Sequence, residues 1–372
     1  RYQSTESQCI KFENEFSTKI GAKHSLLITS GTNALITALA ASGIGPGDEV
    51  IIPAYTFLAT AAAVVAVGAI PIVVNIDHQF GISLTEISKN INDKTKGIIP
   101  VHMDGLCCDI EGIIKIAEKR KLVVIEDACQ ALGAQLNGKF LGTFGDFGCF
   151  SLNKDKILTC GEGGIVVTNT QKNYEKVCTL SDSAFSFSPH HKDFFKEIIP
   201  TFGFSMRVSE ISGAIMREQL KKLDMILAEY KLRKNIIKEI LSKLEQIKII
   251  SGHDQEGECH IAIHLSVKDA EFASHLGKEL RKKKIMAAPV SMRPGHVVWK
   301  WGKMLGELSH INDRQNPYLN NKKKYIYPKF NYLSTMDIIM STLKIDIDLN
   351  WSLEETRNIA QRIKKSILTF DK

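Results

Sequence analysis

From about Ser25 to Thr170 the chain alternates short apolar runs with stretches of helical spacing, and few folds accept that alternation. Ser25–Thr29, Val50–Pro53, Ile70–Val74, Gly97–His102 and Leu122–Ile125 read as buried strands, with Leu122–Ile125 closing the series. Helices are expected from near Thr32, over Thr56–Val67, and over Asp109–Lys121 with Asp109 as N-cap. Strands that are apolar on both faces and joined by helices imply a mostly parallel sheet covered on both sides. Ligands of such sheets gather at the carboxyl ends of the strands.

Near residue 208 the texture changes. Val208, Ile211, Ile215, Leu220, Leu223, Ile226, Leu227 and Tyr230 keep near-helical spacing, and Ile236, Ile237, Ile240, Leu241 and Leu244 continue it. One or two long helices would bridge to a second unit. There a strand over His260–Val267, a helix over Asp269–Lys283 and a terminal helix over Ser352–Ile367 suggest a small α+β domain. The expected division is a large α/β domain over 1–235 and a small domain over 236–372, both within reach of a chain that is 44% apolar.

Composition narrows the class. No apolar run reaches the length of a membrane span, and no signal-peptide pattern is present, so a cytoplasmic protein is expected. The chain begins at Arg1 without a methionine, and further residues are expected upstream. A net charge of +7 is mild, and its lysine clusters Arg281–Lys284 and Lys322–Lys324 lack aromatic interleaving, which argues against nucleic acid. The eight cysteines show no paired C-x-x-C spacing and read as reduced core thiols, with no metal site expected. His190-His191 read as exposed loop residues.

Chemistry concentrates at the strand ends. Ser151 precedes Lys156 by five residues, and the Gly-rich turn Gly161–Gly164 leads into Ile165-Val166-Val167. That arrangement can hold a phosphate and aim an amine at pyridoxal phosphate, a cofactor that needs a lysine to form a Schiff base. Ser30-Gly31-Thr32 places backbone amides and two hydroxyls at a helix start, either an anion pocket or a plain N-cap turn. In Pro53–Thr60, Phe57 first and Tyr55 second could lie flat on a pyridine ring, although core packing explains most such aromatics. Asp127 follows an apolar strand, where a buried carboxylate needs a cation such as a protonated pyridine nitrogen. Strand alternation sends Glu126 to the other face. The plain reading of Asp127 is a helix N-cap.

Taken in order and spacing, Ser30-Gly31-Thr32, Pro53–Thr60, Glu126–Gln130, Gly145-Asp146 and Phe150–Gly164 closely resemble the DegT/DnrJ/EryC1/StrS family of sugar aminotransferases. The likeness covers about residues 9–235 and is looser beyond. It implies the aspartate-aminotransferase-like fold, called fold type I, in a homodimer with active sites at the interface. It further implies Lys156 as the Schiff-base lysine, with Lys154 as its rival, and Asp127 as partner of the ring nitrogen. Phe57 would stack on the ring, Gly31, Thr32 and Ser151 would surround the phosphate, and Gln130 would lie near the ring hydroxyl. Where relatives carry an Asn in Gly-x-Asn-x-Arg, this chain has Gly203-Phe204-Ser205-Met206-Arg207, so Ser205 would donate to the partner's phosphate. A His-Gly pair of relatives is replaced by Ser181–Phe185, so the usual sugar contacts do not carry over.

The resemblance implies transfer of an amino group from an amino acid, expected to be glutamate, to a nucleotide-linked keto-deoxyhexose for surface-polysaccharide synthesis. Trp299-Lys300-Trp301 and Thr342–Trp351 resemble instead the branch acting on a free acidic keto-sugar of the 8-oxo-3-deoxy-octulosonate type, whose carboxylate Arg293, His296 or the Lys-rich loops could meet. A PLP-binding but catalytically silent paralogue is the reading from another class. Lys156 argues against the dehydratases of the family, which carry histidine there.

Overall fold

The computed structural model describes residues 7–183, 185, 194, 196–199, 201–306, 316–318, 325, 327 and 329–370. His190-His191 and Lys322–Lys324 lie outside them. In chain order the elements of the first unit are α1 (Gln8–Ile20), β1 (His24–Ile28), α2 (Gly31–Ala41), β2 (Glu49–Pro53), α3 (Ala59–Ala66) and β3 (Ile70–Val74). Then come α4 (Leu84–Asn90), β4 (Thr95–Ile98), α5 (Ile110–Arg120), β5 (Val123–Asp127), the short pair β6 (Gln135–Leu136) and β7 (Lys139–Phe140), β8 (Phe147–Ser151), β9 (Gly164–Thr168), α6 (Gln171–Ser181) and α7 (Glu210–Leu220). The sheet runs β1-β9-β8-β5-β4-β2-β3, with β9 antiparallel to both of its neighbours and the other pairs parallel.

Side-chain alternation explains the two-sided cover. Leu26, Ile28, Val50, Ile52, Ile125, Phe147, Cys149 and Val166 enter one hydrophobic cluster. Leu27, Ile51, Val124, Phe150, Ile165 and Val167, their neighbours in sequence, enter the other. Fully burying each Val, Leu, Ile or Phe side chain contributes about 1.5–3 kcal/mol, so neither face tolerates a polar substitution. Ser30 and Asp109 cap their helices by accepting the Asn33 and Gly112 amides at 3.1 and 2.9 Å.

Some boundaries differ from the expected ones. Two buried strands, β8 and β9, follow the run that was to close the series, because the Gly-rich turn between them folds the chain back antiparallel. The strand expected over Gly97–His102 ends at Ile98, and Met103–Gly105 form a turn in which Asp104 takes a left-handed conformation (φ 51°). The helix after β2 begins at Ala59 rather than Thr56, since the Thr56 and Leu58 amides bond to His296 and Gly295 carbonyls from the second unit.

That unit follows α8 (Leu223–Leu241) with β10 (Lys248–Ile250), β11 (Ala262–Ser266), α9 (Ala270–Lys282), β12 (Ala287–Pro289), α10 (Val298–Gly306), α11 (Leu333–Met340), β13 (Thr342–Asp346) and α12 (Leu353–Phe370). Its sheet, β10-β11-β13-β12, is antiparallel throughout. A third cluster joins Ile237 and Leu241 to this sheet, whereas Leu223 packs with the first unit, so position 235/236 falls inside a helix shared by both cores. Among the described residues, no helix is long and apolar enough to cross a membrane, and the eight cysteines are free thiols.

Candidate active site

The carboxyl ends of β1, β2, β4, β5 and β8 open onto one cavity of about 700 Å³, closed on its other side by residues of the second unit. Gly31, Thr32, Phe57, Asp127, Gln130, Ser151 and Lys156 all line it. Ser205 does not: it sits exposed, bridged to Asp182 in the main-chain pairing of 181–183 with 204–206. Lys154 is exposed and outside the lining, so the turn separates the two lysines by aiming only Lys156 inward.

At the start of α2, the helix geometry leaves the Gly31 and Thr32 amides without intrahelical acceptors. Ser30 uses its hydroxyl on the Asn33 amide. Close approach of the chain dictates glycine at position 31, because a Cβ there would lie 2.7 Å from Cys129 Sγ and 3.0 Å from Ser151 Cβ. A helix N-terminus beside the Ser151 hydroxyl suits a phosphate.

Asp127 ends β5 and is 5% exposed. Its Oδ2 accepts from Thr60 Oγ1 at 2.8 Å, with Thr56 Oγ1 a further 2.7 Å on, and its Oδ1 accepts from the Cys129 amide at 3.2 Å. Two donors leave lone pairs for a cation. Glu126 points away and is consumed by the fold, accepting from the Gly142, Phe144 and Gly145 amides at 2.7–2.8 Å and meeting His102 Nε2 at 3.1 Å. The Lys156 side-chain amine has no hydrogen-bond or ion-pair partner among the described residues, while its backbone amide donates to Asn153 O at 3.0 Å and ties the turn. Phe57 is 46% exposed at the cavity, its ring centroid 5.2 Å from that of His296, whereas Tyr55 is fully buried.

The second unit supplies the remaining wall. Arg293 Nη2 and Gln130 Nε2 approach His296 Nε2 at 3.1 and 3.4 Å. Both are donors, which leaves the neutral ring's own proton on Nδ1. Burial, then the Arg293 guanidinium, with Lys156 and Lys344 adding to it, press the His296 pKa down to about 3. Trp301 is buried in the core and Trp299 packs against it.

Asp104, Lys344 and Asp346 also line the cavity, and reading the sequence missed them. Two signals were available. Asp104-Gly105 follows a parallel strand at its carboxyl end, and Lys344 and Asp346 alternate with Leu343, Ile345 and Ile347 on one face of β13.

The depressed histidines carry a prediction. Burial, with Lys234 second, takes His260 down to about 4. An unfolded histidine binds its proton near about 6.5. As pH falls from about 6.5 towards 4, the unfolded chain takes up protons the fold refuses, and each such histidine costs about 1.4 kcal/mol per pH unit. Urea midpoints at pH 7 and pH 5 should therefore separate less in His260→Gln than in wild type; equal separations would refute the assignment.

A cradle that only glycine fits, a lysine amine without a side-chain partner among the described residues, a carboxylate with lone pairs to spare and a half-exposed aromatic ring together suit pyridoxal phosphate. The comparisons agree. The model of the DegT/DnrJ/EryC1/StrS aminotransferase family matches residues 3–304. The GDP-perosamine synthase of Escherichia coli O157:H7 is 34% identical over 284 residues, covering 75% of each chain. A UDP-N-acetyl-3-dehydro-alpha-D-glucosamine 3-aminotransferase of Acidithiobacillus ferrooxidans is 42% identical over 57% of this chain and 56% of its own. An aminotransferase structure from Psychrobacter cryohalolentis superposes with a TM-score of 0.83 at 25% identity, covering 99% of this chain and 93% of that one. A 3-amino-5-hydroxybenzoic acid synthase structure gives 0.80 at 24% identity, covering 98% and 91%, a likeness of fold.

Proposed function

This chain belongs to the DegT/DnrJ/EryC1/StrS aminotransferase family and is a pyridoxal-phosphate-dependent transaminase, and on that premise we propose that it moves an amino group from glutamate to a nucleotide-linked keto-sugar destined for a surface polysaccharide. The observation that carries the reading is the single cavity holding Lys156, Asp127 and the α2 cradle together.

When bound, the cofactor supplies an aldehyde carbon that can carry the amino group and a ring that can take up negative charge. In this reading the Gly31 and Thr32 amides and the Ser151 hydroxyl bind its phosphate, and Phe57 covers one ring face. Asp127, fixed by Thr60, keeps a proton on the ring nitrogen. Lys156 would hold the aldehyde carbon through its side-chain nitrogen and, when freed by the donor, is the group placed to take up the donor's Cα proton and deliver it to that carbon. Gln130 is steadied for its place near the ring hydroxyl by the Asp104 amide, which donates to Oε1 at 3.1 Å.

The enzyme works as a homodimer in which Ser205 reaches the partner's phosphate. Phe202, Phe204, Ile211 and Ile215 are exposed around that segment, an apolar surface that a second copy would cover. A free acidic keto-sugar of the 8-oxo-3-deoxy-octulosonate type is a second acceptor, favoured by the cations Arg293 and Lys344 in the wall.

Purified protein incubated with nitrogen-labelled glutamate tests the reading. The acceptors offered would be a GDP-linked 4-keto-6-deoxyhexose, a UDP-linked 3-keto-hexosamine and 8-oxo-3-deoxy-octulosonate, with products followed by mass spectrometry. Label in a nucleotide-linked product is expected; label only in the acidic sugar would favour the second acceptor, and label in none would end the proposal.

A further inference from the structure

Asp104 is 3% exposed, and its backbone is held from three sides. Its amide donates to Gln130 Oε1 at 3.1 Å, the Leu106 amide closes the turn onto Met103 at 2.9 Å, and the Cys259 amide reaches Gly105 O at 3.1 Å. A left-handed residue fixed in this way projects its side chain in one direction. That carboxylate gathers groups from both units. Arg293 Nη1 donates to both of its oxygens at 2.9 Å and to Tyr55 Oη at 2.9 Å. His264 Nε2 lies 3.1 Å from Oδ2, and Lys344 Nζ lies 3.5 Å from Oδ1.

The donors are not exhausted. Among the described residues, Arg293 spends Nη1 on Asp104 and Tyr55 and one Nη2 proton on His296, which leaves Nε–H and a second Nη2 proton. Lys344 has two carboxylate contacts, Asp104 and Asp346, for three protons. Two cations face one enclosed carboxylate, and burial keeps His264 neutral. Asp346, 2.5 Å from Lys344, is the second carboxylate of this wall and is 56% exposed. A wall with spare cationic donors fits a carboxylate.

Resting on the function proposed above, we infer that Arg293 and Lys344 form a carboxylate subsite in the active-site wall, and that Asp104 is the positioning residue that orients them. The carboxylate belongs either to the amino-acid donor or to an acidic keto-sugar, since both substrates enter the same cavity in turn.

The probe is glutarate, which carries two carboxylates and no amine to react, with glutaramide as its uncharged counterpart. Binding to the cofactor-loaded protein is measured by calorimetry. Wild type should bind glutarate in preference to glutaramide, and Arg293→Gln and Lys344→Gln should each weaken glutarate binding by about tenfold or more. Asp104→Asn decides the positioning role, because asparagine tolerates the left-handed backbone and the change makes the wall more positive. A positioning residue predicts weaker binding in spite of that added charge. Glutarate bound by Asp104→Asn as tightly as by wild type, or no preference over glutaramide in wild type, would overturn the inference. Thermal melting and retention of cofactor by each variant separate loss of the subsite from loss of the fold.

The two half-reactions assign the carboxylate. A KM raised by Arg293→Gln for L-glutamate alone places it on the donor, and one raised for 8-oxo-3-deoxy-octulosonate alone places it on the sugar. A wild type that transfers no amine, yet binds glutarate through Arg293, removes the proposed function and leaves the subsite standing.

Discussion

Lys156→Ala should remove amino transfer almost completely, with a loss of about 10⁴-fold or more, because in the proposed function one amine serves both as covalent anchor and as proton carrier. Neither role can be taken over locally. Lys154 is exposed and outside the cavity, and no other lysine of this turn lines it. The fold should hardly notice. Lys156 is part-exposed in a turn and its side chain makes no hydrogen bond or ion pair among the described residues, so its truncation should change stability by no more than about 0.5 kcal/mol. Rapid mixing of the cofactor-loaded variant with glutamate, followed through the visible band of the cofactor, checks the first point, and thermal melting checks the second. Lys154→Ala serves as the control and should keep near-normal turnover. Transfer at wild-type rate in Lys156→Ala would overthrow the assignment of the anchor.

Asp127→Asn should lower kcat by about 10²–10³-fold with little change in KM for glutamate. The shape is preserved, but Thr60 donates to Oδ2 and the Cys129 amide to Oδ1, so the single amide oxygen keeps one of these two bonds. What is lost is the negative charge of the group that the proposed function places against the ring nitrogen. An amide offers neither the negative charge nor the second acceptor that would keep that nitrogen protonated, so the ring takes up charge less well as the Cα proton leaves. Single-turnover rates separate this from weakened cofactor binding. A variant whose kcat stays within about threefold of wild type would show that the carboxylate is structural.

Much of the fold was legible because its determinants are local. Alternation of Leu26 with Leu27, or of Ile51 with Val50 and Ile52, assigns side chains to the two faces without knowledge of any partner. The motifs at strand ends were legible for the same reason: Gly31, Asp127, Ser151 and Lys156 sit a few residues beyond the runs that position them. The strand after Leu122–Ile125 was less readable. Phe147–Ser151 becomes a central strand only because β5 and β9 flank it. Glu126 and Asp127 show the limit more sharply. Adjacent in sequence and similar in chemistry, they differ because one meets three backbone amides from 142–145 and the other faces the cavity.

The chain's own order of residues sufficed to determine a covered parallel sheet and the turns that offer an amine, a carboxylate and a helix start on one edge. Only the tertiary structure decided what closes that edge. Asp104, Arg293, His296 and Lys344 lie as much as 240 positions apart in numbering, from Asp104 to Lys344, and nothing in their neighbourhoods announces a shared partner. Their meeting depends on the second unit docking its Gly295-His296 carbonyls on the amides after β2, which brings a strand face and a turn over the carboxyl ends of the sheet. Charge pairing acts over a few ångströms of space, whatever the distance along the chain, and that is why the wall of the cavity was visible only once the chain was folded.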